Sequence, residues 1–145
     1  MKRTTLGLAL ALAVAAVGCN SSDAVDPNLP KTISLVSGNP QTSTVGTVAV
    51  APLKVVVRNA EGDGVEGVTV TWAVASGGGS VNPQTSLTNF DGVAQTEFTY
   101  GPTQGQSLVQ AIVVNLVGSP VNFTMTATAA GGGGGGGGGL AAPRN

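Results

Sequence analysis

Apolar and polar residues alternate along the middle of the chain with a period of two, the signature of strands with one buried face. Leu53, Val55 and Val57 fall on one side of a run whose other side carries Lys54, Val56 and Arg58. Val68, Val70, Trp72 and Val74 alternate with Thr69, Thr71 and Ala73, the clearest such signal in the sequence. Ala94, Thr96, Phe98 and Tyr100 share one face of a further run, and Val121, Phe123, Met125 and Ala127 alternate with Asn122, Thr124, Thr126 and Thr128. Weaker runs predict strands over Thr32–Ser37, Thr44–Val50, Gln84–Thr88 and Ser107–Asn115.

Turn chemistry separates these runs. Gly38-Asn39-Pro40, Ala60-Glu61-Gly62-Asp63-Gly64 and Gly101-Pro102 are breakers, and Asp91-Gly92 suits a tight hairpin-type turn. Ser76-Gly77-Gly78-Gly79-Ser80 is expected to be a flexible loop between strands. Roughly seven or more short strands at this spacing make an all-β, two-sheet β-sandwich, because each apolar face needs a second layer to cover it. Periodicity does not give the strand order.

The two ends depart from this pattern. Met1-Lys2-Arg3, a 12-residue apolar run from Leu6 to Val17, and Gly18-Cys19 have the layout of a secretory signal; a membrane span needs about 20 apolar residues. Asn20–Pro30 is polar, proline-punctuated and aperiodic, as expected of a flexible tether. Nine consecutive glycines, Gly131–Gly139, precede Leu140–Asn145; a run of this kind buries no apolar area and is expected to be disordered. The expected organisation is a signal over 1–18, a modified N-terminus and tether over 19–30, a β-domain over 31–130 and a glycine-rich tail over 131–145. A domain of about 100 residues can be held by its core alone.

Composition narrows the chemistry. Lys2 and Arg3 would leave with the signal, so the six basic residues of the whole chain drop to four against seven acidic ones. Those four, Lys31, Lys54, Arg58 and Arg144, are scattered, which argues against nucleic acid and anionic lipid surfaces as partners. The chain has no histidine and a single cysteine, Cys19, so Ser–His–Asp and Cys–His catalysis and a His/Cys zinc or copper site are excluded. Glu61, Asp63 and Glu66 are hard oxygen donors within one loop that could in principle hold Ca²⁺, but Asp63-Gly64 is more simply a turn and the glutamates solvated. Asp91 invites the same turn explanation, and Glu97 stands alone without the opposed carboxylate that hydrolysis needs. The triple glycine at 77–79 is followed by turn residues and a strand rather than the helix that a phosphate cradle opens. Trp72, on the Val68/Val70/Val74 face, is expected in the core rather than on a sugar-binding platform. No catalytic residue, cofactor or metal site is expected, and the chain is not expected to be an enzyme.

Two resemblances add to this. Ala16-Val17-Gly18-Cys19 resembles the lipobox of bacterial lipoproteins, which implies that Cys19 is acylated and becomes the N-terminus, tethering the protein to the membrane through lipid; stable anchoring needs at least two chains. Asn20 is not the aspartate associated with inner-membrane retention in enteric bacteria, which favours the outer membrane. The second resemblance runs from Val55 to Ala129 and is to bacterial immunoglobulin-like domains of the invasin/intimin type. It is carried by Val55-Val56-Val57-Arg58-Asn59-Ala60-Glu61-Gly62-Asp63-Gly64-Val65-Glu66-Gly67-Val68-Thr69-Val70-Thr71-Trp72, by Gly77-Gly78-Gly79 with Asn89-Phe90-Asp91-Gly92-Val93-Ala94, and by Phe98-Thr99-Tyr100-Gly101-Pro102 with Val109-Gln110-Ala111. Ser37-Gly38-Asn39-Pro40-Gln41 and Val45-Gly46 fit the family's usual lead-in. The resemblance implies a disulfide-free immunoglobulin-like sandwich serving as a rigid surface spacer or adhesion module; receptor binding does not carry over with it, and a protein or glycan partner is left open and unidentified. The alternative is a periplasmic component that offers an edge strand or end loops to a partner. The sequence shows one such domain, and neither the β-barrel nor the lectin-like tip of the family's adhesins, so no binding residues carry over.

Overall fold

The computed structural model describes residues 26–131, and every regular element in it is a strand. Residues 1–18, Cys19 and the glycine run beyond Gly131 lie outside the described residues. The strands are β1 (Thr32–Ser37), β2 (Gln41–Thr44), β3 (Leu53–Arg58), β4 (Thr69–Ser76), β5 (Gly79–Asn82), β6 (Thr85–Leu87), β7 (Val93–Tyr100), β8 (Gly105–Ile112) and β9 (Val121–Thr128). They form a four-stranded sheet in the order β1-β3-β7-β5 and a five-stranded sheet in the order β2-β9-β8-β4-β6. Pairing is antiparallel except between β2 and β9, which run parallel from Gln41 opposite Met125 to Thr44 opposite Thr128. This is an all-β sandwich of the immunoglobulin type.

The period-two pattern explains the core. Leu53, Val55 and Val57 of β3, Val70 and Trp72 of β4, Phe98 and Tyr100 of β7, Val109 of β8, and Phe123 and Met125 of β9 all point between the sheets and are buried. Each large apolar side chain removed from water contributes about 1.5–3 kcal/mol. The Trp72 and Phe123 rings lie 5.9 Å apart, and Phe98 meets Tyr100 edge to face at 5.1 Å. Trp72 is therefore core, and its indole Nε1 donates to Ser86 Oγ at 2.9 Å. Buried polar side chains mostly find partners: Thr96 Oγ1 donates to Pro83 O (2.7 Å), and Ser107 Oγ donates to Gly78 O (2.5 Å) and accepts from Gly78 N (3.1 Å).

Three segments differ from the sequence expectation, and in each the chain is changing sheets. Thr44–Val50 is not one strand. Thr44 closes β2, the chain turns at Gly46 (φ +75°), and Val48 then bridges Thr99 in the other sheet, with Ala49 N donating to Phe98 O at 2.7 Å. Thr44-Val45 and Thr47-Val48 on either side of Gly46 have strand propensity, and propensity is blind to which sheet a residue joins. Gly79-Ser80, expected in a loop, opens β5, which pairs with β7 from Gly79 opposite Tyr100 to Asn82 opposite Glu97. Glycine is needed there because a Cβ at Gly79 would lie 2.5 Å from Phe98 Cζ. Asp91-Gly92 makes the tight turn, with Asn89 Oδ1 accepting from Asp91 N (3.1 Å) and Val93 N (2.9 Å). The strands it joins, β6 and β7, belong to opposite sheets, so it is a crossover turn rather than a hairpin.

Candidate functional site

The strand directions sort the loops into two poles. The segment before β1, the β3–β4 loop (59–68), the β6–β7 loop (88–92) and the β8–β9 loop (113–120) gather at one end. Val45, Gly46, Gly77, Gly101 and the end of β9 gather at the other, where Val45 N donates to Thr128 O and Gly46 N to Gly101 O. The chain therefore enters the sandwich at one pole and leaves it at the other.

The entry pole is tied together by backbone-directed side chains. Asn59 is buried, its Nδ2 donating to Pro27 O (2.8 Å) while its Oδ1 accepts from Asp63 N (2.8 Å). Lys31 N donates to Arg58 O at 2.8 Å, so Asp26–Pro30, the part of the expected tether within the described residues, is bonded onto the sandwich at both ends. Thr88 Oγ1 donates to Val65 O (2.6 Å) and accepts from Val68 N (2.8 Å), closing the β3–β4 loop over the β6–β7 loop. The loops meet at Gly64, where a Cβ would fall 2.2 Å from Asp91 O. That contact leaves room only for glycine.

The carboxylates singled out in the sequence are dispersed around this pole. Asp63 and Glu66 border one open hollow together with Asp91, Arg58 and Phe90; Glu61 faces another, beside Pro27, Leu29 and Lys31. Asp63-Gly64 makes the loop's return, bridging back to Arg58, whose Nη1 donates to Gly62 O at 2.6 Å. Among the described residues no three His, Cys, Asp or Glu side chains lie together as a metal would require. Phe90, 83% exposed at the tip of the Asn89–Gly92 turn, is the most prominent aromatic on the surface.

The sheet faces differ in charge. Lys54, Arg58 and Glu97 project from the four-stranded sheet, at positions that alternate with core residues. β2, β4, β6, β8 and β9 contain no charged residue at all, so the outer face of the five-stranded sheet is neutral. Sequence reasoning missed this face: the alternation of Asn122, Thr124, Thr126 and Thr128 was visible, but which strands flank them was not. Inside, Tyr100 Oη is buried without a hydrogen-bond partner, and burial raises the phenol pKa above its ordinary 10.0. The described residues contain no helix long and apolar enough to cross a membrane.

No family model matches the sequence, and no curated protein matches it. Solved structures do. The D00-D0 domain of intimin superposes with a TM-score of 0.52 at 19% identity, over 68% of this chain and 46% of the other. A C-terminal 282-residue fragment of intimin, solved in complex with the intimin-binding domain of the translocated intimin receptor, gives 0.50 at 21% identity over 68% of this chain and 32% of its own. Domains 4–9 of the surface layer protein SbsC give 0.50 at 17% identity, over 71% of this chain and 15% of that one. This chain thus matches less than half the length of each. The fold is the immunoglobulin-like sandwich of the invasin/intimin type, as the resemblance implied.

Proposed function

We propose that this protein is a non-enzymatic immunoglobulin-like module of the bacterial cell envelope, lipid-anchored at Cys19 and acting as a surface spacer or adhesion domain. The observation that supports this reading is that the described chain enters the sandwich at one pole and leaves it at the other, an arrangement that would hold the sandwich in series between an anchor at Cys19 and any segment beyond its C-terminal pole. Pro27, bonded to Asn59, limits the slack: the residues from Asn20 to Val25 reach at most about 20–22 Å when extended, so the entry pole would stay close to the membrane. The intimin fragment bound to its receptor domain supports a protein partner for a module of this fold.

The test is protease accessibility of the domain on intact cells, alongside a Cys19→Ser form. Cleavage on intact cells, with release of only the Cys19→Ser form into the soluble fraction, is expected. Protection until the outer membrane is opened would move the module to the periplasm and turn the search to partners there. Equal membrane retention of both forms would overturn the lipid anchor.

A further inference from the structure

The entry pole carries apolar side chains that no part of the described chain covers. Phe90 tips the β6–β7 turn, Val114 and Val117 stand on the β8–β9 loop, and Leu29 lies before β1, each more than half exposed. The other large exposed apolar residues of the described chain are spread over β1, β6 and the segment where the chain changes sheets. At the C-terminal pole, the loops 77–78 and 101–104 hold no large apolar side chain and no charge. We propose that the entry pole docks on the bilayer that holds Cys19, seating the Phe90 ring among zwitterionic headgroups and standing the sandwich upright on the membrane. The proposal rests on the lipid anchor.

Tether length selects the occupant. Asn59 Nδ2 donates to Pro27 O (2.8 Å), which leaves at most about 20–22 Å of extended chain from Asn20 to Val25 before the fixed segment. A lipid at Cys19 therefore keeps this pole within reach of the bilayer at high effective concentration. The C-terminal pole lies farther off by the length of β9, eight residues or about 26 Å. The apolar side chains stand on braced backbone, so little ordering is left to be lost on contact. Asn89 Oδ1 holds the Phe90 turn, and Leu29 N donates to Asp26 O at 3.0 Å. Val117 O accepts from Ile33 N (2.9 Å), and Val117 N donates to Lys31 O (3.0 Å).

Charge selects the lipid. The segments of this pole carry Asp26, Glu61, Asp63, Glu66 and Asp91 against Lys31 and Arg58, and an anionic leaflet would repel such a surface. Asp63, Glu66 and Asp91 border the hollow that Phe90 also lines, so an ammonium group entering it meets carboxylates and an aromatic ring together. Arg58 lines the same hollow with one Nη1 bond to Gly62 O, and its remaining donors suit a headgroup phosphate. Phosphatidylethanolamine and phosphatidylcholine supply both groups without net negative charge. One aromatic and three aliphatic side chains are a weak hold by themselves, since even a single fatty acyl chain binds only marginally and reversibly. The dock forms in the tethered chain and leaves a freed one in solution.

The experiment uses the full lipidated chain in vesicles of phosphatidylethanolamine and phosphatidylcholine with brominated acyl chains, which quench an indole on contact. Phe90→Trp reports the entry pole and Thr103→Trp, at an exposed position, the C-terminal pole; buried Trp72 of the unsubstituted chain gives the background. Flotation with the vesicles, lost in Cys19→Ser, reports the anchor separately. The introduced indole of Phe90→Trp is expected to be quenched and blue-shifted, and that of Thr103→Trp to emit as in water. Val114→Trp, which keeps Phe90, is a second probe; it is expected to be quenched, and adding Phe90→Glu to it to abolish the quenching. Replacing part of the lipid with phosphatidylglycerol at low salt is expected to weaken quenching, and added salt to restore it. Thermal melts confirm that the variants fold. A chain that floats while both entry-pole indoles stay unquenched, or that is quenched equally at both poles, would overturn the docking and leave the anchor standing. So would quenching that Phe90→Glu leaves unchanged or that phosphatidylglycerol strengthens. A lipid-free chain that does not float would overturn both.

Discussion

Two aromatic pairs fill the sandwich, and they are built differently. Trp72 and Phe123 belong to the five-stranded sheet, and the indole N–H is satisfied by Ser86 on the edge strand β6. Phe98 and Tyr100 belong to the four-stranded sheet, and the phenol is buried with nothing to bond. Both pairs supply ring area to the core. Only the first also uses its polar atom, which ties a three-residue edge strand to the centre of the fold. The difference teaches that an aromatic residue with a polar handle in a core is not by itself a sign that the handle is used.

The largest expected effect tests the satisfied pair. Trp72→Ala removes a buried indole and leaves a cavity against Phe123, which should cost about 3–5 kcal/mol, a large share of the 5–15 kcal/mol typical of a domain. Urea denaturation measures it, and a domain of unchanged midpoint would sink the core assignment. The unsatisfied pair has its own weak point at Gly79, whose φ of +118° and contact with Phe98 leave no space for a methyl group. Gly79→Ala should cost about 2–3 kcal/mol in the same assay; no loss would mean that Phe98 repacks freely.

Smaller effects sharpen the contrast between the polar handles. Ser86→Ala strands the indole N–H and should cost about 1–2 kcal/mol, whereas Tyr100→Phe removes an unpaired hydroxyl and should leave stability unchanged or raise it by up to about 1 kcal/mol. The same hydroxyl sets a pH signature. Because burial raises the folded-state phenol pKa above 10.0, the folded protein holds that proton more tightly than the unfolded chain. Its contribution is therefore complete below pH 10.0 and is lost as pH rises through the folded pKa. The wild-type domain should lose more stability between pH 9 and pH 11 than the Tyr100→Phe domain, read by denaturation at both values. Identical losses would show that the hydroxyl reaches solvent.

How far the sequence carried the reading depends on strand length and setting. β3, β4, β7 and β9 were legible because six to eight residues of strict alternation face a common core. β2 and β5, four residues each, were not: Gln41–Thr44 has no apolar face, and Gly79 begins a strand with the residue least suited to one. The chemistry legible in the sequence was mostly negative, since the lack of histidine needs no structure to interpret. Asp63 and Asp91 are turn residues as expected, but that they border the same hollow depends on two loops meeting where Gly64 touches Asp91, 27 residues further along the chain, which no local pattern encodes. The neutral face needed the strand order as well.

The parallel pairing of β2 with β9 has a mechanical consequence. β2 follows the strand through which the chain enters, and β9 ends at the pole where it leaves. Tension applied between the two chain ends pulls these neighbours past one another along their length, so that the hydrogen bonds from Gln41 to Thr44 share the load together instead of opening one at a time. A sandwich wired in this way is a clamp under pulling force.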